Sequence, residues 1–258
     1  MPGTVDKALE LLGLFSEREP ALGLSEIARR ACFDKATTRR LLLSLEHHGM
    51  VEQLADSRKY RLGAAPLRLA RVREAAYPVV SIVRPVVERL SQETGETAHF
   101  SLAAGGELAT ISLWESARAN RVSLEQGEAL PLHATASGIV YLAFAPPMLR
   151  EQALRRTLHV YTDSTPTEPA AIEALLHRAR REGMARMDDA YETEVVGIAA
   201  PVCDATGHAQ GAIAVATPGS RMLPAADIAI RAAVRRAAVD ITRALGGVVD
   251  PAMLQGVA

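Results

Sequence analysis

Leu24-Ser25-Glu26-Ile27-Ala28-Arg29-Arg30-Ala31, then Cys32-Phe33-Asp34, then Lys35-Ala36-Thr37-Thr38-Arg39-Arg40-Leu41-Leu42-Leu43-Ser44-Leu45-Glu46-His47-His48-Gly49. The spacing predicts two helices joined by a tight turn, the second over Lys35–His48 with Leu41, Leu42 and Leu45 facing a core. Asp34 stands where a cap would satisfy the free backbone donors of the second helix, and Gly49 where a helix ends. Val51–Leu54 and Lys59–Leu62 then flank a polar tip at Asp56-Ser57, as in a β-hairpin. Two helices, a turn and a hairpin make a winged helix-turn-helix, whose second helix enters the DNA major groove by its N-terminal residues. Those residues are Lys35, Thr37, Thr38, Arg39 and Arg40. Arginine pairs with a guanine edge and threonine meets a thymine methyl or a phosphate. Thr37, Thr38 and Arg40 or Arg39 are therefore expected to read bases. Arg58 and Lys59 on the wing are expected to hold the backbone or the minor groove. Ser25, at the start of the first of the two helices, joins the DNA-contacting set.

Charge follows the same division. Residues 29–73 carry eleven basic side chains against four acidic ones, a local +7 in a chain of formal net charge −1. A basic segment in an otherwise acidic chain is the electrostatic footprint of a phosphate-binding surface. With 258 residues, 48% hydrophobic and 23% charged, the chain can build a core in each of two domains. The expected division is 1–63 for the winged helix-turn-helix, 64–76 for a linker helix and 77–258 for a second domain. Cys32 and Cys203 fit no CxxC or metal-type spacing and are expected to be buried thiols of a reducing compartment. The start lacks a basic segment before an apolar core, and no apolar run approaches the ~20 residues that span a bilayer. The expected location is cytoplasmic, without a membrane partner. Nothing implies a cofactor or a metal.

Outward from the motif, Val5–Phe15 is an amphipathic helix that Thr4 caps, and Ala65–Arg73 is a helical connector. Pro78 and Pro85 punctuate the next stretch, and Ile82–Glu93 continues as helix. The period then changes. Thr97–Ala103 and Leu108–Glu115 are strands around Gly105-Gly106, and Arg121–Leu124 is a further candidate strand. Ser137–Phe144 is a short helix ended by Pro146-Pro147, and Glu168–Glu182 a longer one. Ile198–Cys203 and Gly211–Ala216 are strands, and Ala225–Leu245 a closing helix. This order implies an α+β domain with one sheet carrying helices.

The chain resembles the IclR family of bacterial transcriptional regulators over nearly its whole length. The resemblance rests on Leu24–Gly63, on Glu93-Thr94-Gly95-Glu96-Thr97, on Leu130-Pro131-Leu132-His133-Ala134-Thr135-Ala136-Ser137-Gly138 and on Gly197-Ile198-Ala199-Ala200-Pro201-Val202, in that order. It implies an N-terminal winged helix-turn-helix, a dimerising linker helix and a C-terminal GAF-like effector domain with an antiparallel sheet flanked by helices. It also implies homodimers, often paired into tetramers on operator DNA, that control catabolic operons for organic acids or aromatic compounds.

In relatives that bind small oxo-acids, the carboxylate sits on backbone amides at a helix start, which matches Ala136-Ser137 here. Their other polar contacts, an Asp, a Cys and two Ser, align with Met187, Gly197, Ala214 and Ala216. With Phe100 and Leu132 nearby, such a wall suits a hydrophobic or aromatic carboxylic acid better than glyoxylate or pyruvate. An enzyme is not expected. His133, Ser137 and Asp188 or Asp189, or Cys203 with His208, offer imaginable constellations, but no G-x-S-x-G elbow, phosphate loop or HExxH stands behind them. His133 reads as a structural hydrogen-bonding residue. The alternative function is an architectural or partner-binding winged-helix protein, whose second domain only dimerises and encloses no cavity.

Overall fold

The computed structural model describes residues 3–104, 106–127 and 129–255. The chain separates into two compact units, Met1–Pro78 and Val79–Ala258. The first runs α1 (Thr4–Leu12), β1 (Ala21–Leu22), α2 (Leu24–Arg30), α3 (Lys35–His47), β2 (Val51–Gln53), β3 (Tyr60–Leu62) and α4 (Ala65–Ala76). Its core is Leu11, Leu22, Ile27, Leu41, Leu42, Leu45, Val51 and Tyr60. The wing is an antiparallel sheet in the order β1-β3-β2. β1 has no signature in the sequence, because two residues carry no periodicity; it exists by pairing Ala21 with Arg61 and Leu22 with Tyr60.

Several local details differ from expectation. Gly3, not Thr4, precedes α1, and its N–H donates to Asp6 Oδ2 at 2.7 Å. Gly23 occupies the cap position of α2, and Ser25, second in the helix, stands in its first turn as expected. Cys32 is exposed rather than buried. It occupies the turn at φ 54, while its neighbour Phe33 packs against the core.

The second unit runs α5 (Val79–Thr94), β4 (Thr97–Ala104), β5 (Glu107–Trp114), β6 (Ala129–Leu130), α6 (Ala136–Phe144), α7 (Pro147–Leu154), α8 (Pro169–Glu182), β7 (Ala185–Asp188), β8 (Val195–Cys203), β9 (Ala209–Pro218) and α9 (Pro224–Ala244). The fold is α+β. Six strands form one antiparallel sheet in the order β6-β5-β4-β9-β8-β7. β8 and β9 are buried almost throughout, which requires cover on both faces. α5 and α9 pack together as one layer, and α6, backed by α8, is the other. Val79, Val83, Val87 and Leu90 give α5 its buried stripe, and exposed Pro85 falls on the opposite side without ending the helix. Arg121–Leu124 is not a strand; the Thr97 hydroxyl donates to the Val122 carbonyl at 2.6 Å and holds the segment instead. Pro146-Pro147 follows the end of α6 at Phe144, and Pro147 also opens α7, because proline suits the first turn of a helix. The Gly105 part of the expected β4–β5 turn lies outside the described residues.

Gly183 ends α8 at φ 67, and a Cβ there would stand 2.5 Å from the backbone of Ala252. Gly183→Ala combines left-handed strain with a backbone clash and is expected to cost about 2 kcal/mol or more. Urea unfolding measures it, and an unchanged midpoint would contradict that packing.

Candidate DNA-reading helix and effector cavity

The start of α3 is built by its cap. Asp34 accepts the Thr37 N–H at 2.8 Å. That bond holds the Asp34 carboxyl below its usual range. Lys35, Arg39 and Arg40 are exposed, and Thr37 is half-buried. Thr38, expected among the base readers, is instead fully buried, and its hydroxyl donates to the Asp34 carbonyl at 2.9 Å. It lies three and four residues before Leu41 and Leu42, on the same buried stripe. Thr38→Val is therefore expected to cost about 1 kcal/mol of stability and to leave sequence preference on DNA unchanged. A variant of wild-type stability with altered preference would return Thr38 to the DNA face.

On the wing, Arg58 and Lys59 are exposed. Arg58 holds φ 57, a conformation that favours glycine. Its carbonyl accepts from Gln53 Nε2 at 2.8 Å, and its N–H donates to the Leu54 carbonyl at 2.9 Å, so the tip is pinned. Ser25 is exposed on α2.

In the second unit, α6 begins against β8 and β9 and closes one end of a cavity with about 520 Å³ of empty space, its mouth included. Six of the eight residues expected there line it: Ala136, Ser137, Met187, Gly197, Ala214 and Ala216. Phe100 and Leu132 do not. Phe100 neighbours His99 on β4, and successive strand residues face opposite sides of a sheet, so His99 turns to the cavity and Phe100 away. Leu132 lines a second hollow with His133, Arg156, His159 and Tyr161. Its backbone lies where a Cβ on Gly138 would stand, 2.4 Å away, so only glycine lets α6 approach that segment.

His99, Val122, Leu124, Leu130, Ala190, Tyr191 and the exposed rim residue Glu192 also line the cavity, none of them expected there from the sequence. The alternation of β4 carries the signal for His99. Val122 and Leu124 have none, because a side-chain hydrogen bond across 25 residues places them.

The polar end of the cavity is a pair. His99 Nε2 and Ser137 Oγ are 3.3 Å apart, both side chains buried. His99 Nδ1 is buried with no partner among the described residues. Desolvation pulls the imidazole down to about 4, so it is neutral at neutral pH. Thr135 caps α6, accepting the Gly138 N–H at 3.0 Å. The imagined catalytic groupings do not form. His133 pairs with the His159 carbonyl at 2.9 Å, not with Ser137. Burial pushes the Cys203 thiol up to about 12, and His208 Nδ1 meets Thr206 Oγ1 at 2.8 Å.

A winged helix-turn-helix followed by a GAF-like α+β domain is the architecture of a bacterial transcriptional regulator. Residues 4–55 match the IclR helix-turn-helix domain. Residues 75–243 match the family described as bacterial transcriptional regulator IclR C-terminal. The chain belongs to the IclR family, DNA-binding regulators rather than enzymes. It is 32% identical over 243 residues to the HTH-type transcriptional regulator BhcR of Paracoccus denitrificans, covering 92% of this chain and 85% of that one. A crystal structure from Silicibacter sp. TM1040, assigned to the same regulators, superposes with TM-score 0.88 at 41% identity, over 97% of this chain and 99% of the other. An IclR homolog from Microbacterium hydrocarbonoxydans, complexed with 4-hydroxybenzoate, gives TM-score 0.76 at 26% identity, covering 95% and 99%. No helix among the described residues is long and apolar enough to cross a membrane.

Proposed function

We propose that this regulator controls a catabolic operon in response to a hydrophobic carboxylic acid, most simply an aromatic one, bound in the α6 cavity. The observation that carries the reading is the wall itself. Met187, Gly197, Ala214 and Ala216 offer no polar side chain to a small acid with a second polar end. An unpaired group there costs about 1–3 kcal/mol, whereas a ring gains about 25 cal/mol per Å² buried. The carboxylate is assigned to the amides at the start of α6, where the helix dipole favours an anion. The 4-hydroxybenzoate held by the Microbacterium relative supports an aromatic acid. A domain that only dimerised would need no such cavity. Thermal unfolding of the full chain tests the reading: benzoate-type acids raise the midpoint, and glyoxylate and pyruvate do not. Stabilisation only by the small oxo-acids would overturn it.

The linker reading of residues 64–76 belongs to the same proposal. α4 buries none of its residues and exposes Leu67, Leu69 and Val72. Leu69 and Val72, three residues apart, share one face, and exposed apolar side chains of that kind suit a second copy of the chain. A dimer, or a dimer of dimers, in the bacterial cytoplasm would read a palindromic operator with half-sites about 10 base pairs apart or at a longer integral spacing. Leu69→Glu with Val72→Glu is expected to shift sedimentation to a monomer and to weaken operator binding. A double variant that sediments like wild type would reject α4 as the interface.

A further inference from the structure

We infer that Glu96 is a latch on the effector cavity: through Arg118 and Arg221 it holds residues 115–127 down as a strap, and a ligand enters when that strap lifts. The inference rests on the α6 cavity as the effector site. Between β5 and β6, residues 115–127 form neither helix nor strand. Val122 and Leu124 line the cavity, and Ser123 between them is exposed. The strap is therefore a single layer of chain between the cavity and solvent. The other walls are backed: α9 packs on β8 and β9, and α8 packs on α6.

Side chains hold the strap in place. The Ser116 hydroxyl donates to the Gly95 carbonyl at 2.7 Å, and the Thr97 hydroxyl to the Val122 carbonyl at 2.6 Å. The rest of the grip centres on Glu96, whose side chain is 4% exposed. Its carboxylate accepts from Arg118 Nη1 on the strap at 2.7 Å and from Arg221 Nε at 2.7 Å. Arg221, just before α9, donates in turn to the Asn120 carbonyl at 2.7 Å. Glu96 thus ties the strap twice, once directly and once through Arg221. A Cβ on Gly95 would stand 2.8 Å from Arg118 Nη2, so glycine leaves room for that guanidinium. A buried carboxylate persists only when paired, which draws both arginines in. The Arg118 side chain is 51% exposed, so water replaces its half of the pair at modest cost. A segment held by a few side-chain bonds belongs to the low-stability end of a fold, where local opening occurs.

A thiol inside the cavity reads the opening directly in the full chain. Ala216 lines the cavity and pairs with Thr97 across the β4–β9 ladder, so Ala216→Cys places the thiol beneath the strap. Cys32→Ser removes the exposed native thiol. Labelling by methyl methanethiosulfonate, a small neutral reagent, then follows the open population. Glu96→Gln and Arg118→Gln are each expected to speed labelling of the introduced thiol about tenfold or more. They remove opposite charges, so an increase shared by both is not an electrostatic effect on the thiol. Cys203, buried in the core, should stay unlabelled, which separates a lifted strap from a loosened fold. Arg118→Gln leaves Glu96 paired with Arg221 and decides the matter if Glu96→Gln does not fold. Four results overturn the latch: fast labelling with the latch intact, unchanged rates in the folded variants, opposite shifts in the two, or Cys203 labelled in step. Saturating benzoate or 4-hydroxybenzoate should slow labelling of the introduced thiol. If neither does, the aromatic-acid reading of the cavity fails, and the latch still stands or falls on the rates.

Discussion

Arg39→Ala combined with Arg40→Ala is expected to weaken binding to the cognate promoter site by roughly a hundred-fold or more. It should also erase most of the preference for that site over unrelated duplex. Both side chains are exposed at the N-terminal half of α3, beyond the Asp34 cap, where a recognition helix meets base edges. A base-reading contact is worth about 1–3 kcal/mol of discrimination, and two such losses compound. Changes on the wing should behave differently. Arg58→Gly suits the left-handed backbone at that position, so it removes the charge without straining the tip. With Lys59→Ala it is expected to weaken all DNA alike and to lower the salt slope by about one per charge removed. Titrations at several salt concentrations separate the two effects. Wing variants that lose specificity while the α3 variant loses only general affinity would reverse the assigned roles.

Filling the cavity should have the second large effect. Ala216→Phe adds a ring to the wall that Met187, Gly197 and Ala214 share. The added ring occupies the volume assigned to the effector's ring, whose burial is worth roughly a hundred-fold in affinity. The variant is expected to bind aromatic acids roughly a hundred-fold more weakly and to hold DNA regardless of ligand. Calorimetry and a reporter assay measure the two halves. Unchanged ligand affinity in a folded Ala216→Phe would place the site elsewhere.

Elements with strong local signals are legible in the sequence. α3 announces itself by Asp34 and its leucine spacing, and α9 by small apolar residues at helical intervals. The departures have physical causes. Threonine suits base reading, yet Thr38 lies on the Leu41–Leu42–Leu45 stripe and satisfies its hydroxyl one turn back. The ring of Phe100 suits an aromatic pocket, but strand parity selects its neighbour His99. Leu132 is near Ala136 in sequence, but the close approach at Gly138 turns it toward the other hollow. β1, β6 and β7 are two to four residues long, too short for a period to show, and exist through the strands they pair with. In the sequence, the wall of Met187, Gly197, Ala214 and Ala216 rests on the family resemblance alone. The structure gathers it because β7, β8 and β9 are neighbours, with Met187 opposite Gly197 and Gly197 opposite Ala216.

Coupling between the cavity and the DNA is measured most directly by fluorescence anisotropy of the full chain on its promoter DNA, titrated with 4-hydroxybenzoate, benzoate, glyoxylate and pyruvate. An aromatic acid is expected to change the apparent DNA affinity by about 5- to 150-fold, the usual range of coupling between two sites, and Ala216→Phe to abolish the change. A response to glyoxylate or pyruvate with the aromatic acids inert, or an aromatic response undiminished in Ala216→Phe, would contradict an aromatic-acid switch in the α6 cavity.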